Sequence, residues 1–388
     1  MPPMPPMPPM PPNTGGSAAA ATAATAPGDA AEKARQFPCR ACGANVVFRP
    51  GTASLKCPYC GAAEQLPDTA DEVDEHCYEA ALRAPRKPLA RLGPSALRCG
   101  GCGARSETTA VSDRCPFCGA ATAPETSPSE LIAPEAVLPF AFARSAAAEK
   151  VRSWLASRWF APSDLRALAA DDGIRGVYVP FWTFDCFSRT FYTGARGDYY
   201  YVTVQDTVTV NGRVEHRTRQ ERRTNWRPAS GRVERAFDDV LVPAVKSLPP
   251  RDLAKLEPWD LRATAPFRPE FLAGFLAVRY EIELADGFSQ AQEIMRGVIR
   301  EDCRRDIGGD EQRVDAMKTA WSAVTFKHVL LPVWSAAYRY RDRTWRVLVN
   351  ARTGEVVGER PYSFGKIAAA ILAALALAAA IAFLARGR

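Results

Sequence analysis

Eight of the eleven cysteines fall into four Cys-x-x-Cys pairs between residues 39 and 118. Cys39-x-x-Cys42 is followed after fourteen residues by Cys57-x-x-Cys60, and Cys99-x-x-Cys102 after twelve by Cys115-x-x-Cys118. A two-residue gap lets both thiolates of a tight knuckle face one ion, and two such knuckles supply the four soft, tetrahedral ligands that zinc prefers. Gly43, Gly61, Gly103 and Gly119 directly follow the second cysteine of each pair. Glycine there permits the positive φ that turns backbone amides toward sulfur. A thioredoxin-like redox site needs one pair opening a helix, not four in two matched sets. Iron could use the same ligands, but the short intervening spans suit compact zinc ribbons. The expectation is two structural zinc ions, one on Cys39, Cys42, Cys57 and Cys60 and one on Cys99, Cys102, Cys115 and Cys118, with no catalytic role. The first residues lack the charged and apolar regions of a signal peptide, so these thiols are expected in a reducing compartment.

Other reactive side chains are sparse. His76, His216 and His328 are widely separated, and no Gly-x-x-x-x-Gly-Lys-Ser/Thr, HExxH or Gly-x-Ser-x-Gly motif occurs. Asp185, in an aromatic strand, reads as an ordinary arginine-paired acid. The chain is expected not to be an enzyme. Its net charge of +7 permits contact with nucleic acid or anionic lipid without demanding it. The charge is concentrated at Arg213–Arg235, where eight arginines against three glutamates give +5 around Trp226.

The elements that must carry these residues follow from the patterning. With 47% hydrophobic and 24% charged residues the chain is neither a disordered polymer nor a polytopic membrane protein. Residues 1–36 open with four Met-Pro-Pro units and read as a disordered Pro/Ala-rich tail. Residues 37–66 are zinc ribbon 1, 67–96 a linker, 97–122 zinc ribbon 2, 131–362 an α+β domain rich in antiparallel sheet, and 367–385 a transmembrane helix. In the linker, Val73, Cys77 and Ala80 suggest a short helix. Val151, Trp154, Leu155 and Trp159 place one stripe on a helix over 146–159. Val177–Phe187 and Tyr199–Val210 read as strands, and Asn211-Gly212 as a hairpin turn. Phe275–Leu284 reads as strand, Ser289–Asp306 as helix, and Val329–Val357 as a meander turning at 350–354. Val177-Tyr178-Val179-Pro180-Phe181-Trp182 and Val329-Leu330-Leu331-Pro332-Val333-Trp334 echo one another. Proline cannot donate to a ladder, so each copy suggests an edge or bulged strand. Trp182 and Trp334 read as equivalent core positions rather than a duplicated binding groove. Independent ribbons would let Cys57→Ser unfold one ribbon while 131–362 stays folded.

Ile367–Ala385 is an uninterrupted run of eleven alanines and eight Ile, Leu or Phe residues. At about 1.5 Å per residue it spans roughly 28 Å, close to a bilayer core. Ala370, Ala374, Ala378 and Ala382 recur every fourth residue and could form a helix-packing stripe.

The knuckles Cys57-Pro58-Tyr59-Cys60-Gly61 and Cys115-Pro116-Phe117-Cys118-Gly119 resemble transcription factor IIB-type zinc ribbons. Together with Leu138-Pro139-Phe140, the two echoed segments, Val349-Asn350-Ala351-Arg352-Thr353-Gly354 and Pro361-Tyr362-Ser363 before the apolar run, they resemble a bacterial family of membrane-anchored double zinc-ribbon proteins. Some of its members are labelled as primosomal protein N′-like, a helicase name that no nucleotide-binding motif here supports. The resemblance covers nearly all of 37–385. It implies partners such as phage-shock-protein-A-like or stomatin/flotillin-type membrane proteins.

The reading is therefore a non-enzymatic adaptor, single-pass in the cytoplasmic membrane with its N-terminal domains in the cytoplasm, recruiting other proteins in membrane-stress responses. Anionic lipid is a further expected contact of the arginine segment. Membrane-tethered nucleic-acid binding ranks second, because a fixed anchor is an unusual place for a DNA reader.

Overall fold

The structure is a computed structural model that describes residues 37–66, 73–84, 95–108, 114–120, 122–124, 131–162, 173–210, 213–340 and 343–386. The tail 1–36, much of the linker and the Asn211-Gly212 turn lie outside the described residues. In chain order the elements are β1 (Val47–Arg49), β2 (Ser54–Lys56), β3 (Ala63–Gln65), β4 (His76–Cys77), α1 (Tyr78–Arg83), β5 (Ser95–Cys99), β6 (Arg105–Thr108) and β7 (Thr122–Pro124). There follow β8 (Ala136–Val137), α2 (Arg144–Ala156), β9 (Ile174–Val210), β10 (Arg213–Pro243), α3 (Pro250–Ala254), β11 (Ala265–Pro266) and β12 (Leu276–Val278). The chain ends with α4 (Leu284–Ile307), β13 (Glu311–Tyr340), β14 (Arg343–Asn350), β15 (Val356–Gly358) and α5 (Phe364–Arg386). The class is α+β, built on one large sheet.

The centre of that sheet is the antiparallel pair β9–β13, in register from Ile174↔Ala336 to Gly197↔Glu311. The echoed segments lie here and pair with each other: Val177 faces Val333, Val179 faces Leu331 and Phe181 faces Val329. A local two-fold relation passes through Val179 and Leu331, and it extends outward. β12 runs parallel to β9 at Val177–Tyr178, as β8 runs parallel to β13 at Val329–Leu330. β10 then pairs antiparallel with β9 from Phe181, as β14 pairs with β13 from Val333. β8 leads into α2 just as β12 leads into α4. The domain is an internal duplication of strand, helix, long strand and returning strand.

This arrangement corrects the expectation that Pro180 and Pro332 mark edge strands. Both lie in the two central strands. Each falls in the gap where the outer neighbour changes, between β12 and β10 for Pro180 and between β8 and β14 for Pro332. The two carbonyls face that gap and accept from Ala244 N at 3.0 Å and Ala351 N at 3.1 Å. A residue's N and O point to the same side of a strand, so the missing N–H is lost where no ladder partner needs it. Trp182 and Trp334 are core residues, 0% and 4% exposed. Their contacts cross the two-fold: Trp182 meets Tyr280 at 5.1 Å and Trp334 meets Phe140 at 4.9 Å between ring centroids.

Helix α4 buries Leu284, Phe288, Ala291, Met295, Ile299, Cys303 and Ile307, a spacing of three to four residues that keeps one face on the sheet. It begins at Leu284, five residues earlier than the pattern suggested, and so takes in Gly287. A Cβ there would stand 2.7 Å from the Trp182 ring, so glycine is required for close approach. The strand expected over 275–284 is correspondingly only β12; beyond it Glu281 N and Ile282 N both turn to Ala244 O. Helix α2 buries Val151 and Leu155, but Trp159 lies past its end and is 82% exposed. The linker helix is α1, and Cys77 sits in β4, paired with Thr325.

β9 runs unbroken through both segments read as separate strands. Gly194 allows this, since a Cβ would meet the Arg313 carbonyl oxygen. Beyond Gly197, β13 has ended, and β9 and β10 continue as a pair to Val210↔Arg213. This two-stranded arm reaches roughly 40 Å at about 3.3 Å per residue. Tyr201 is exposed on it, and the Arg222 guanidinium lies 4.2 Å from the Tyr199 ring.

The two cysteine-rich regions differ in how they join this body. β1, β2 and β3 form a separate three-stranded sheet, whereas β6 pairs with β12 and so extends the main sheet through β5 and β7. Both contribute to shared cores. Phe48 packs on Phe271 and Phe275, and Phe117, 1% exposed, lies among Val177, Val179 and Leu348.

Candidate metal centres

Four knuckles of one design hold the cysteines. In each, the residue two past the second cysteine accepts from the first cysteine's amide: Cys39 N to Ala44 O at 2.7 Å, Cys57 to Ala62 at 2.8 Å, Cys99 to Ala104 at 2.9 Å and Cys115 to Ala120 at 2.8 Å. The intervening glycines sit at φ between +71° and +78° and donate back to the first cysteine's carbonyl. No atom crowds their absent Cβ, so conformation and not space demands glycine.

The sulfurs converge within each set. Cys39 and Cys60 are 3.5 Å apart, Cys42 and Cys57 3.5 Å, Cys99 and Cys118 3.4 Å, and Cys102 and Cys115 3.6 Å. All four sulfurs of a set lie within 4.8 Å of one another. A tetrahedral thiolate site with metal–sulfur bonds of about 2.3 Å has edges of about 3.8 Å, so both quartets are sized to hold a metal ion. Amides point at the sulfurs as well: Gly101 N at 3.3 Å to Cys99 Sγ and Phe117 N at 3.4 Å to Cys115 Sγ.

The electrostatics point to a cation. Donation from the Cys60 amide, helped by Tyr59 N–H and opposed by burial, pulls the Cys57 thiol down to about 6. Cys60 is pushed up to about 12: the Ala62 amide acts to lower it, but the neighbouring thiols of Cys39, Cys42 and Cys57 outweigh that donor. In the second set, the bond to Cys115 and then burial hold Cys102 far above the usual thiol range. A thiolate at Cys57 is easy, but four thiolates in either set are not, unless a positive ion compensates them.

The two sets are unequal in exposure. Phe117 is buried, while Tyr59 at the same knuckle position is 83% exposed, with Cys42 and Cys60 exposed beside it. Pro116 O accepts from Ser335 Oγ at 2.7 Å and Phe117 O from Arg346 Nε at 2.7 Å, which clamps the second knuckle to the sheet. Cys77 is exposed and Cys186 and Cys303 are buried, each away from the quartets.

A titratable cluster lies elsewhere, on the outer part of β9 and β13. Among the described residues no arginine pairs with Asp185: Asp239 N donates to it, and burial together with the Glu75 carboxyl raises it to about 7. Glu75, lowered by the bond from Asp185, also accepts from Thr325 Oγ1 at 2.8 Å. Lys327 Nζ lies 2.9 Å from Asp239 and 3.2 Å from Glu75. Asp239 and Ala323 sit at φ of 50° and 51° in bulges on the strands either side of Asp185. No sequence pattern announced this group, since Glu75 arrives from the linker.

Nearby, burial lifts Glu135 to about 7, against the amide of His328 that donates to it at 2.6 Å. Burial also lowers His328 to about 4. Raised in the fold above its ordinary value, Glu135 contributes stability that is present below about pH 4.5 and lost as pH rises through about 7. Glu135→Gln keeps an acceptor for His328 N but cannot ionise. It should flatten the decline of unfolding free energy between pH 5 and 8, by on the order of 2–3 kcal/mol at the alkaline end in denaturant titrations.

Compared with known proteins, the chain is 26% identical over 344 residues to the uncharacterized protein YdjG of Bacillus subtilis (strain 168), covering 86% of this chain and 92% of that protein. No family model matches the chain, and no solved structure matches it.

Proposed function

We propose that this protein is a membrane-anchored adaptor with two structural zinc ions, whose first ribbon and projecting arm are presented to partners at the cytoplasmic face of the membrane. Zinc is the ion that best fits two closed four-thiolate sets with no free coordination position. The observation that carries the adaptor reading is the contrast between equivalent knuckles. Phe117 is spent on the core, whereas Tyr59 stands 83% exposed on a rigid turn. A tyrosine fixed in this way is a ready anchor for a protein interface. The helix Phe364–Ala385 is long and apolar enough to cross a membrane and has no buried residue, which supports display from a bilayer. The stripe Ala370, Ala374, Ala378 and Ala382 would suit a second helix. Partners of phage-shock-protein-A-like or stomatin/flotillin type remain the expected class.

Affinity capture from detergent-solubilised membranes tests the reading. Protein partners should survive nuclease and be lost with Tyr59→Ser, while zinc content and Tm stay unchanged. Loss of every partner on nuclease treatment would instead favour nucleic-acid binding, which the arm's arginines support. In that case Arg219→Gln, Arg222→Gln and Arg223→Gln together should weaken binding and reduce its salt slope by about 2–3.

A further inference from the structure

Four exposed aromatic side chains surround the base of the apolar helix. Trp159 and Phe364 are each 82% exposed, Tyr362 55% and Phe160 38%. Trp159 and Phe160 belong to a tight turn closed by Ala161 N donating to Arg158 O at 3.0 Å. The carbonyls of that turn hold the start of the helix: Phe160 O accepts from Ser363 N at 2.8 Å and Ala161 O from Lys366 Nζ at 2.7 Å.

We propose that the turn Arg158–Ala161 is a second membrane-contact element, seating Trp159 and Phe160 in the headgroup layer beside the anchor. The proposal rests on the reading of Phe364–Ala385 as that anchor. Its geometry follows from the two hydrogen bonds. The apolar run begins at Ile367, and Ser363 and Lys366 lie within four residues of it, about 6 Å along a helix axis. The polar layer on each side of a bilayer core is itself roughly 5–7 Å deep. With Ile367 at the hydrocarbon boundary, the turn bonded to Ser363 and Lys366 lies inside this layer. Tryptophan partitions there, with its ring toward the acyl chains and its N–H in the headgroups.

Cations stand at the same level. Arg158 lies over the Trp154 ring at 5.2 Å and Arg360 over the Tyr362 ring at 5.2 Å, and Lys366 is the last charge before the apolar run. They are placed to meet lipid phosphates. Two attachments in place of one would stop the sheet from swinging about its helix. The exposed knuckle and the arm would then be held at a set height above the membrane.

The test uses the full chain in phosphatidylcholine bilayers whose acyl chains carry bromine near the glycerol end or near the methyl end. Bromine quenches indole fluorescence on close approach. Glycerol-end bromines should quench wild-type emission more than methyl-end bromines do, and Trp159→Phe should remove most of that shallow quenching without detaching the protein. Equal quenching of wild type and Trp159→Phe, in bilayers from which neither is extracted at alkaline pH, would overturn the proposal. Alkaline extraction of both proteins would overturn the anchor reading and the proposal with it.

Discussion

Elemental analysis of the purified chain should find zinc near two equivalents, and Cys115→Ser should unfold far more than its own knuckle. Metal binding at a four-thiolate site supplies on the order of 10 kcal/mol of folding free energy, comparable to the whole stability of a domain. Whether that loss stays local depends on packing. Phe117 follows Cys115 by two residues and lies buried among Val177, Val179 and Leu348, strands of both repeats. β6 also pairs with β12. Thermal unfolding of Cys115→Ser should therefore show a single transition at a Tm lowered by tens of degrees, with loss of near-ultraviolet tryptophan signal from the central sheet. Cys57→Ser should cost less, because although Cys57 is buried, Tyr59 and Cys60 of its knuckle are exposed where Phe117 is core; yet Phe48 packs on Phe271 and Phe275, so the effect will not be confined to residues 37–66 as a self-contained ribbon would require. An unchanged Tm in Cys115→Ser would refute the shared core.

Ending the chain at Tyr362 should convert a membrane-bound protein into a freely soluble one of the same Tm and zinc content. The helix from Phe364 to Ala385 is long and apolar enough to cross a membrane, and none of its residues is buried against the rest of the chain. Its eight Ile, Leu and Phe residues from Ile367 onward would each gain about 1.5–3 kcal/mol on leaving water, which far exceeds what the few hydrogen bonds at Ser363 and Lys366 contribute. Fractionation of cells expressing each form reads the result directly. Sedimentation of the shortened chain with membranes would show that attachment lies elsewhere, with the aromatic turn at Trp159 the first place to look. Protease added outside intact cells should spare the ribbons of the full chain if they face the cytoplasm.

Legibility in the sequence followed the range of the interaction. The cysteine spacing, the glycines at positive φ and the apolar helix were readable because each is a local rule: a knuckle, a dihedral, an unbroken run. The echo at Val177 and Val329 was also visible, but its meaning was not, since two copies of one pattern say nothing about whether they pair with each other. The continuity of β9 and the early start of α4 were not readable for a similar reason. Gly194 and Gly287 lie within strand and helix because a neighbour from more than one hundred residues away, Arg313 or Trp182, leaves no room for a Cβ. The pairing of Asp185 with Glu75 had no signal at all.

The sequence by itself determined which residues can bind a metal, that the class is α+β, and which segment is apolar enough to enter a membrane. Composition and spacing decide these properties before any folding. Tertiary structure alone decided that two echoed strands form the sheet's centre around a local two-fold, that Phe117 is core while Tyr59 is surface, and that Trp159 stands beside the helix base. Equivalent knuckles acquire different roles because burial depends on what the rest of the chain brings against them, and no local pattern encodes that partner.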